Sequence, residues 1–229
     1  MDIAMIVIIF VIPTLSYIYV ITNYKKYNKV NSKINSNGYN IANHILTQNG
    51  LEYVGVEKID GSLKDRYNSS KKIVYLSEDT YNNTSIASIS IASFECAHAV
   101  QDVKDNIVLK MKELLYPVVK LLTTFSYWVV IFGFVLHWDN LMYIGIGITM
   151  IGLFINLFSL YIEFDAKKKG LDYLKKFNLV TPDEYVICNK FLKSYCFKDT
   201  AEMMTNSLRF FNLILIKDDQ REENSVNNK

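Results

Sequence analysis

Apolar residues are gathered into three long runs along this chain instead of being spread evenly. The first run covers residues 3–22, and the other two, 118–138 and 141–162, are separated only by a short polar break. Each run is close to the length of about 20 residues that an α-helix needs to cross the apolar core of a bilayer. The pattern therefore predicts an N-terminal transmembrane anchor at residues 1–22 and a transmembrane helical hairpin at residues 118–162.

Two alternatives to membrane-spanning helices stay open. A secretory signal peptide would begin with basic residues and end at a small-residue cleavage site, whereas Asp2 precedes the first run and the bulky Tyr17 and Tyr19 lie near its end. A soluble helical hairpin would also explain the second and third runs, but such helices rarely hold so few charged residues. Lys120 lies at the start of the second run, where its side chain can extend to the interface. We therefore favour an uncleaved anchor and a hairpin in the bilayer.

Lysines indicate which way the three helices would cross the membrane. The loop between the second and third runs has no Lys or Arg, whereas eight lysines follow the first or the third run: Lys25, Lys26, Lys29, Lys167, Lys168, Lys169, Lys175 and Lys176. Loops on the cytoplasmic side carry an excess of these residues. We expect the N-terminus outside and the polar segments, residues 23–117 and 163–229, in the cytoplasm.

The polar segments show shorter patterns that are typical of a mainly helical α+β fold. Residues 39–48 and 84–103 have helical patterns, and residues 51–59 alternate as a strand should. Residues 65–67 and 72–76 flank a polar turn and predict a β-hairpin. The predicted fold class is an α+β membrane protein, a mainly helical chain with a small β-sheet and three transmembrane helices.

The sequence predicts further helices in residues 163–216 and a disordered tail at residues 217–229. Residues 181–184 read Thr-Pro-Asp-Glu, a capping box with Pro at the first helical position, and residues 201–216 predict the last helix. The tail is rich in charged and amide side chains. The net charge of the chain is only +2, so we expect no nucleic-acid partner.

The predicted helix at residues 84–103 contains a Glu and a His three residues apart, in the sequence "FECAH". In HExxH zinc peptidases, two His side chains at positions i and i+4 bind one ion, and the Glu beside the first His polarises a zinc-bound water. Glu95 and His98 match this pattern, but the position of the first His is Phe94, which cannot bind metal. The motif alone is weak, and a purely structural role of its two polar residues stays open.

The order of elements around this motif resembles the bacterial membrane-bound neutral zinc metallopeptidases. The likeness covers nearly the whole chain and includes "NSNGYNIANHILTQNGL", "GSLKDRY", "FECAHAVQD" and "EFDAKKKGLDYL". It implies a zincin-like metalloprotease domain in residues 23–117, completed by residues 163–216, with zinc as cofactor in a bacterial plasma membrane. The site residues that it implies are the catalytic Glu95, the metal ligands His98 and Glu163, the degenerate ligand position Phe94, and Asp102 as a support for the ligands.

Departures from the family pattern fall at the metal site. Phe94 stands in place of the first ligand His, Ala97 in place of a Gly, and Arg66 in place of a His in the preceding strand. Catalytic zinc normally has three protein ligands and a water, whereas His98 and Glu163 supply two. Zinc binding is therefore expected to be weak or absent, and whether the chain is an enzyme stays open.

Other side chains could replace the missing ligand only if the fold brought them to the site. His44 would have to arrive with the helix at residues 39–48, and His137 lies next to Trp138 in the apolar hairpin, which we expect to be out of reach. Cys96 lies about 200° around the helix from position 94. The three cysteines form no CxxC pattern and are expected to be reduced.

Three functions follow from these observations. The first is a pseudoprotease that binds peptide or protein, with a peptide adding to residues 72–76 as an edge strand. The second is an active or residually active zinc-dependent endopeptidase that uses Glu95, His98 and Glu163. The third is a membrane assembly module without enzymatic activity, in which only the hairpin matters. The expected partners are the lipid bilayer and a peptide or protein.

Overall fold

A computed structural model describes residues 3–103, 107–136, 138–199 and 201. In these ranges the chain forms the elements α1 (Ile3–Tyr27), α2 (Gly38–Gln48), β1 (Gly55–Ile59), β2 (Arg66–Asn68), β3 (Ile73–Ser77), α3 (Glu78–Asn82), α4 (Ile86–Val103), α5 (Ile107–Val135), α6 (Asp139–Lys176) and α7 (Pro182–Tyr195). The chain is mainly helical with one small sheet, as predicted. His137, the tail and all but the first residue of the helix predicted at 201–216 lie outside the described residues.

The chain divides into two compact units. The larger comprises Tyr19–Leu115 and Phe158–Phe197, and the other comprises Met1–Ile18, Tyr116–Leu157 and Lys198–Lys229. The larger unit contains the sheet, helices α2, α3, α4 and α7, and the C-terminal part of α6. It therefore contains every residue to which the sequence assigned a role in a metal site.

The sheet has three strands in the order β1-β3-β2. Strands β2 and β3 are antiparallel and form the predicted hairpin, whereas β1 pairs with β3 in parallel. The strand predicted at residues 51–59 begins only at Gly55, because Leu51 and Val54 form a buried turn closed by a 3.0 Å hydrogen bond. The prediction that residues 72–76 form an edge strand is wrong, since β1 and β2 cover β3 on both sides.

Helix α4 lies at the centre of the larger unit and is buried on all sides. Ser85 begins it, with its hydroxyl accepting a 3.1 Å hydrogen bond from the amide of Ser88, as expected of a helix-capping Ser. Small and apolar side chains fill the helix, and every residue from Ile86 to Asp102 is buried. A helix that is apolar around its whole circumference needs partners on every side, and α2, α3, α7 and the sheet supply them.

The C-terminal part of α6 lies against α4 at very short range. A Cβ atom on Gly170 would lie 3.1 Å from the carbonyl oxygen of Ser93 and 3.2 Å from the Cα atom of Phe94. Glu163, Ala166 and Gly170 are all buried and share one face of α6 because they are spaced by three and four residues. The absence of a side chain at position 170 thus allows the contact that brings Glu163 to α4.

Helix α7 begins with the predicted capping box. The Thr181 hydroxyl accepts from the amide of Glu184, and the Glu184 carboxylate accepts from the amide of Thr181 at 2.8 Å. The same carboxylate accepts a 2.7 Å hydrogen bond from the amide of Lys33. Burial would raise the pKa of Glu184, but these hydrogen bonds outweigh it and lower the pKa. Glu184 therefore joins the start of α7 to the segment before α2.

In the other unit, α5 and α6 meet through small and hydroxyl side chains. The hydroxyls of Ser126 and Thr149 are buried and lie 2.7 Å apart, and a Cβ atom on Gly145 would lie 2.9 Å from the carbonyl oxygen of Ser126. Large apolar side chains are exposed instead: Leu121, Phe125, Phe132, Trp138, Ile144, Ile151 and Phe154. Among the described residues, no helix combines the length and the apolar character needed to cross a membrane, so the three predicted transmembrane helices lack support.

We expect Glu184→Gln to lower the free energy of unfolding by about 1–2 kcal/mol at neutral pH, because a neutral amide caps more weakly than a carboxylate. The pKa of Glu184 is below its ordinary value of 4.5 in the folded state. The stabilisation of the folded state by the ionised Glu184 carboxylate is therefore complete above pH 4.5. It is lost as the pH falls through the lowered pKa. Denaturant titrations at several pH values should show the difference between wild type and variant shrinking in acid. Glu52→Gln, the same change at an exposed position, should show no such difference.

Candidate functional site

The predicted metal ligands lie together where α6 crosses α4. Oε2 of Glu163 lies 3.5 Å from Nε2 of His98, and both side chains are buried. Two atoms that each bind one zinc ion at roughly 2.0–2.2 Å in tetrahedral geometry lie about 3.3–3.5 Å apart. The separation of His98 and Glu163 is therefore that of two ligands of a single ion.

Phe94 fills the position one turn before His98 on α4. Its ring packs edge-on against the imidazole of His98, with ring centroids 4.9 Å apart, and against the ring of Tyr195 at 5.2 Å. The side chain is only 2% exposed. An apolar ring thus fills the space beside His98 on the side of the preceding turn of α4.

The described residues do not fit a catalytic zinc ion. Such an ion needs three protein ligands and an open position for water. In the ranges that the structure describes, no three side chains of His, Cys, Asp or Glu are grouped so that they could hold a metal. His98 and Glu163 are the two predicted ligands that the described structure brings together.

Both carboxylate oxygens of Glu95 accept hydrogen bonds from the protein. Oε2 accepts from the backbone amide of Tyr67 in β2 at 3.1 Å, and Oε1 accepts from the hydroxyl of Tyr195 in α7 at 3.3 Å. Burial, followed by the charge of Glu95, raises the pKa of Tyr195 well above its ordinary value, so this hydroxyl stays protonated as a donor. Glu95 therefore ties β2 and α7 to α4.

Asp102 contacts the β-hairpin. Its Oδ2 atom accepts a 2.7 Å hydrogen bond from the hydroxyl of Tyr67 and forms an ion pair with Lys72. Tyr67 therefore donates two hydrogen bonds to α4, one from its hydroxyl to Asp102 and one from its backbone amide to Glu95. The support that the sequence assigned to Asp102 reaches the site through β2.

Four residues that contact the site were missed by the sequence predictions. Gln101 and Asp165 form a hydrogen-bonded connection from His98 to α6. Gln101 gave a signal, because it lies three residues after His98 on the same helix. Asp165 gave none, since helical residues two apart, such as Glu163 and Asp165, do not share a face. Tyr67 and Tyr195 gave none, since they reach Glu95 from 28 and 100 residues away along the chain.

Of the other candidate ligands, His137 lies outside the described residues, and His44 and Cys96 contact other parts of the fold. The ring of His44 packs against the ring of Phe177, with centroids 5.7 Å apart. Phe177 directly follows α6 and lies about 21 Å along the helix axis from Glu163, at about 1.5 Å per residue. The thiol of Cys96 donates to the backbone of α2, and burial raises its pKa. Arg66 is exposed, with its guanidinium over the ring of Tyr75. All three cysteines are buried, and no two of them form a disulfide.

The chain is similar to the putative membrane protease YugP of Bacillus subtilis strain 168, with 29% identity over 203 residues that cover 89% of this chain and 90% of the relative. No solved structure matches the chain. Residues 2–218 match the family described as "Putative neutral zinc metallopeptidase", for which zinc is the expected cofactor. The chain belongs to this neutral zinc metallopeptidase family.

Proposed function

We propose that this family member is a pseudoprotease, which binds a peptide or protein and holds zinc weakly or not at all. The observation that carries the proposal is the buried ring of Phe94, packed against His98 at the place of a third ligand. A phenyl ring offers no lone pair to a metal ion. Without a firmly bound ion, no water acquires the lowered pKa that hydrolysis near neutral pH requires.

The surroundings of Glu95 support the same proposal. A general base needs an oxygen directed at the water that it deprotonates. Here one oxygen of Glu95 accepts from the amide of Tyr67 and the other from the hydroxyl of Tyr195. These hydrogen bonds connect β2 and α7 to α4, a structural role of Glu95 that does not depend on catalysis.

A bound peptide is proposed to pair with β2. The sequence had assigned this role to residues 72–76, but β3 is the central strand. Strand β2 lies at one of the two edges of the described sheet and next to α4. Because the amide of Tyr67 already donates to Glu95, a peptide would pair with the other backbone groups of this edge. Addition of a strand to such an edge supplies backbone hydrogen bonds without requiring a particular sequence.

A second candidate function is residual zinc-dependent endopeptidase activity. It is favoured by one observation, the 3.5 Å separation between His98 and Glu163. The separation suits two ligands of one zinc ion. In this case an exogenous ligand would have to replace the donor that Phe94 lacks, and Glu95 would have to accept from a water in addition to Tyr67 and Tyr195.

Phe94→His should restore stoichiometric zinc binding, because it adds a donor one turn before His98 while Glu163 is already in place. Zinc at about 100 times its dissociation constant should then stabilise the variant by about 2.7 kcal/mol, since it binds only the folded state. Metal analysis and thermal melts with and without zinc would measure this.

Phe94→Leu is the matched control, because it removes the aromatic ring and adds no donor. It should bind no more zinc than wild type. Stoichiometric zinc in the wild-type protein would refute the pseudoprotease proposal. A failure of Phe94→His to bind zinc would instead mean that the remaining pair no longer supports an ion.

Glu95→Ala should destabilise the protein by about 1–3 kcal/mol, because the mutation removes a buried acceptor from the amide of Tyr67 and the hydroxyl of Tyr195. Denaturant unfolding measures the change, with Glu52→Ala at an exposed position as the control. A carboxylate kept only for catalysis predicts the opposite result, an unchanged or increased stability. That outcome would remove the structural role proposed for Glu95.

We further propose that the chain associates with a lipid bilayer through the unit that contains most of α5. The relative from Bacillus subtilis is named a membrane protease. The exposed side chains on α5 and α6 include Phe125, Ile144 and Phe154, whereas hydroxyls and glycines face the helix contact. This inverted arrangement is typical of helices that pack in lipid. The lysine pattern supports an orientation with residues 23–117 and 163–229 in the cytoplasm.

The full-length protein should stay in the membrane pellet after washes with high salt and with alkaline carbonate, because apolar contacts with lipid do not weaken with ionic strength. Immunoblots of pellet and supernatant measure the partition. Release by high salt alone would indicate electrostatic attachment at the surface. Recovery in the supernatant before any wash would refute association with the bilayer.

A further inference from the structure

The segment that contains strand β2 has an inner side, which faces the core, and an outer side. Successive side chains of a strand point to opposite sides of the sheet. On the inner side, Asp65 is buried and accepts a 2.7 Å hydrogen bond from a backbone amide at the end of β3, and the hydroxyl of Tyr67 donates to Asp102 on α4. The residues that alternate with these two, Lys64 and Arg66, are exposed. The outer side therefore carries cations.

The guanidinium of Arg66 lies on the outer side of the sheet. Arg66 pairs across the strands with Tyr75, and the central carbon of its guanidinium lies 5.0 Å from the centroid of the Tyr75 ring. One N–H group of Arg66 donates to the carbonyl oxygen of Lys64 at 3.3 Å. A guanidinium has five N–H donors, so Arg66 can bind a carboxylate while keeping this hydrogen bond.

The cations beside β2 have no exposed acidic neighbour in the hairpin. Lys71, in the turn that follows β2, is also exposed, and Lys72 is paired with Asp102. Between residues 61 and 77, all of which the structure describes, the only acidic residue is Asp65, and it is buried. This edge of the sheet is therefore basic.

The opposite edge of the described sheet, at β1, has the reverse charge. Glu57 in β1 is exposed, as are Glu52 before the strand and Asp60 directly after it. The lysine of this strand, Lys58, is paired with Glu78 at 3.3 Å. Because like charges on neighbouring strands repel and opposite charges attract, an acidic segment would be attracted to β2 and repelled from β1.

We propose that the peptide segment bound at β2 carries acidic side chains at alternate positions, and that Arg66 selects them. The inference rests on the proposed function, in which a peptide pairs with β2. A strand added there places every second side chain on the outer side, with Cβ atoms about 4.5–5.5 Å from those of the directly opposite residues. A carboxylate at such a position lies within reach of Arg66 and Lys64, and Arg binds carboxylates with two parallel hydrogen bonds.

Three labelled peptides of equal length, in which Thr alternates with Glu, Gln or Lys, test the selection. Fluorescence anisotropy with the purified full-length protein measures their affinities. We expect the Glu peptide to bind about tenfold more tightly than the Gln peptide, because it gains opposite-charge pairs across the strands, and the Lys peptide to bind most weakly. In salt of about 1 M, where charges are screened beyond about 3 Å, the difference between the Glu and Gln peptides should shrink.

Arg66→Glu should weaken binding of the Glu peptide by about tenfold and strengthen binding of the Lys peptide, because the charge beside the added strand is reversed. The Gln peptide should bind as it does to wild type. Lys175→Glu is the matched control, since it changes the net charge by the same amount at an exposed position of α6. It should leave the order of the three peptides unchanged. If Arg66→Glu does not fold, Arg66→Gln serves in its place and should abolish most of the preference for Glu over Gln.

The outcomes separate this inference from the proposed function. Equal affinity of wild type for all three peptides would overturn the selection of acidic segments, while pairing with β2 would stand. A preference for the Glu peptide that persists in the Arg66 variants would overturn the role of Arg66. Failure of all three peptides to bind would refute peptide pairing itself, and the inference would fall with it.

Discussion

The contact between α6 and α4 at Gly170 is the constraint on which the site depends. At this point the backbone of α6 approaches the backbone of α4 so closely that a single added carbon would touch Ser93 and Phe94. Helices usually lie 8–10 Å apart, at distances set by the side chains between them. Because Gly170 has no side chain, Glu163 two turns earlier is carried within reach of His98.

Polar side chains inside this contact are arranged so that donors and acceptors match. Glu95 meets two donors, Asp102 meets a hydroxyl and an ammonium group, and Gln101 contacts the imidazole of His98 and the carboxylate of Asp165. A buried polar group without a partner would cost about 1–3 kcal/mol. The matching explains how α4 can carry Glu, His, Gln and Asp and still be buried along its whole length.

Local patterns in the sequence predicted much of this fold and failed where distant segments meet. The capping box at Thr181, the hairpin of β2 and β3, and helix α4 are each determined by neighbouring residues, and the structure contains all three. The parallel pairing of β1 with β3 joins strands that are not adjacent along the chain. The predicted edge position of residues 72–76 was wrong for that reason. The roles of Tyr67 and Tyr195 depend likewise on packing, because no periodicity links either residue to Glu95.

The aromatic packing of Phe94 stabilises this part of the core through direct contacts between side chains. Its ring contacts both His98 and Tyr195 through edge-on arrangements, which contribute about 0.5–1.5 kcal/mol per pair beyond the burial of area. In a protein held together by a bound ion, the corresponding cohesion rises and falls with the concentration of free metal. Contacts between covalently attached rings have no such dependence. The part of the cohesion that these two ring contacts supply is therefore present as soon as the chain has folded, at any concentration of free metal.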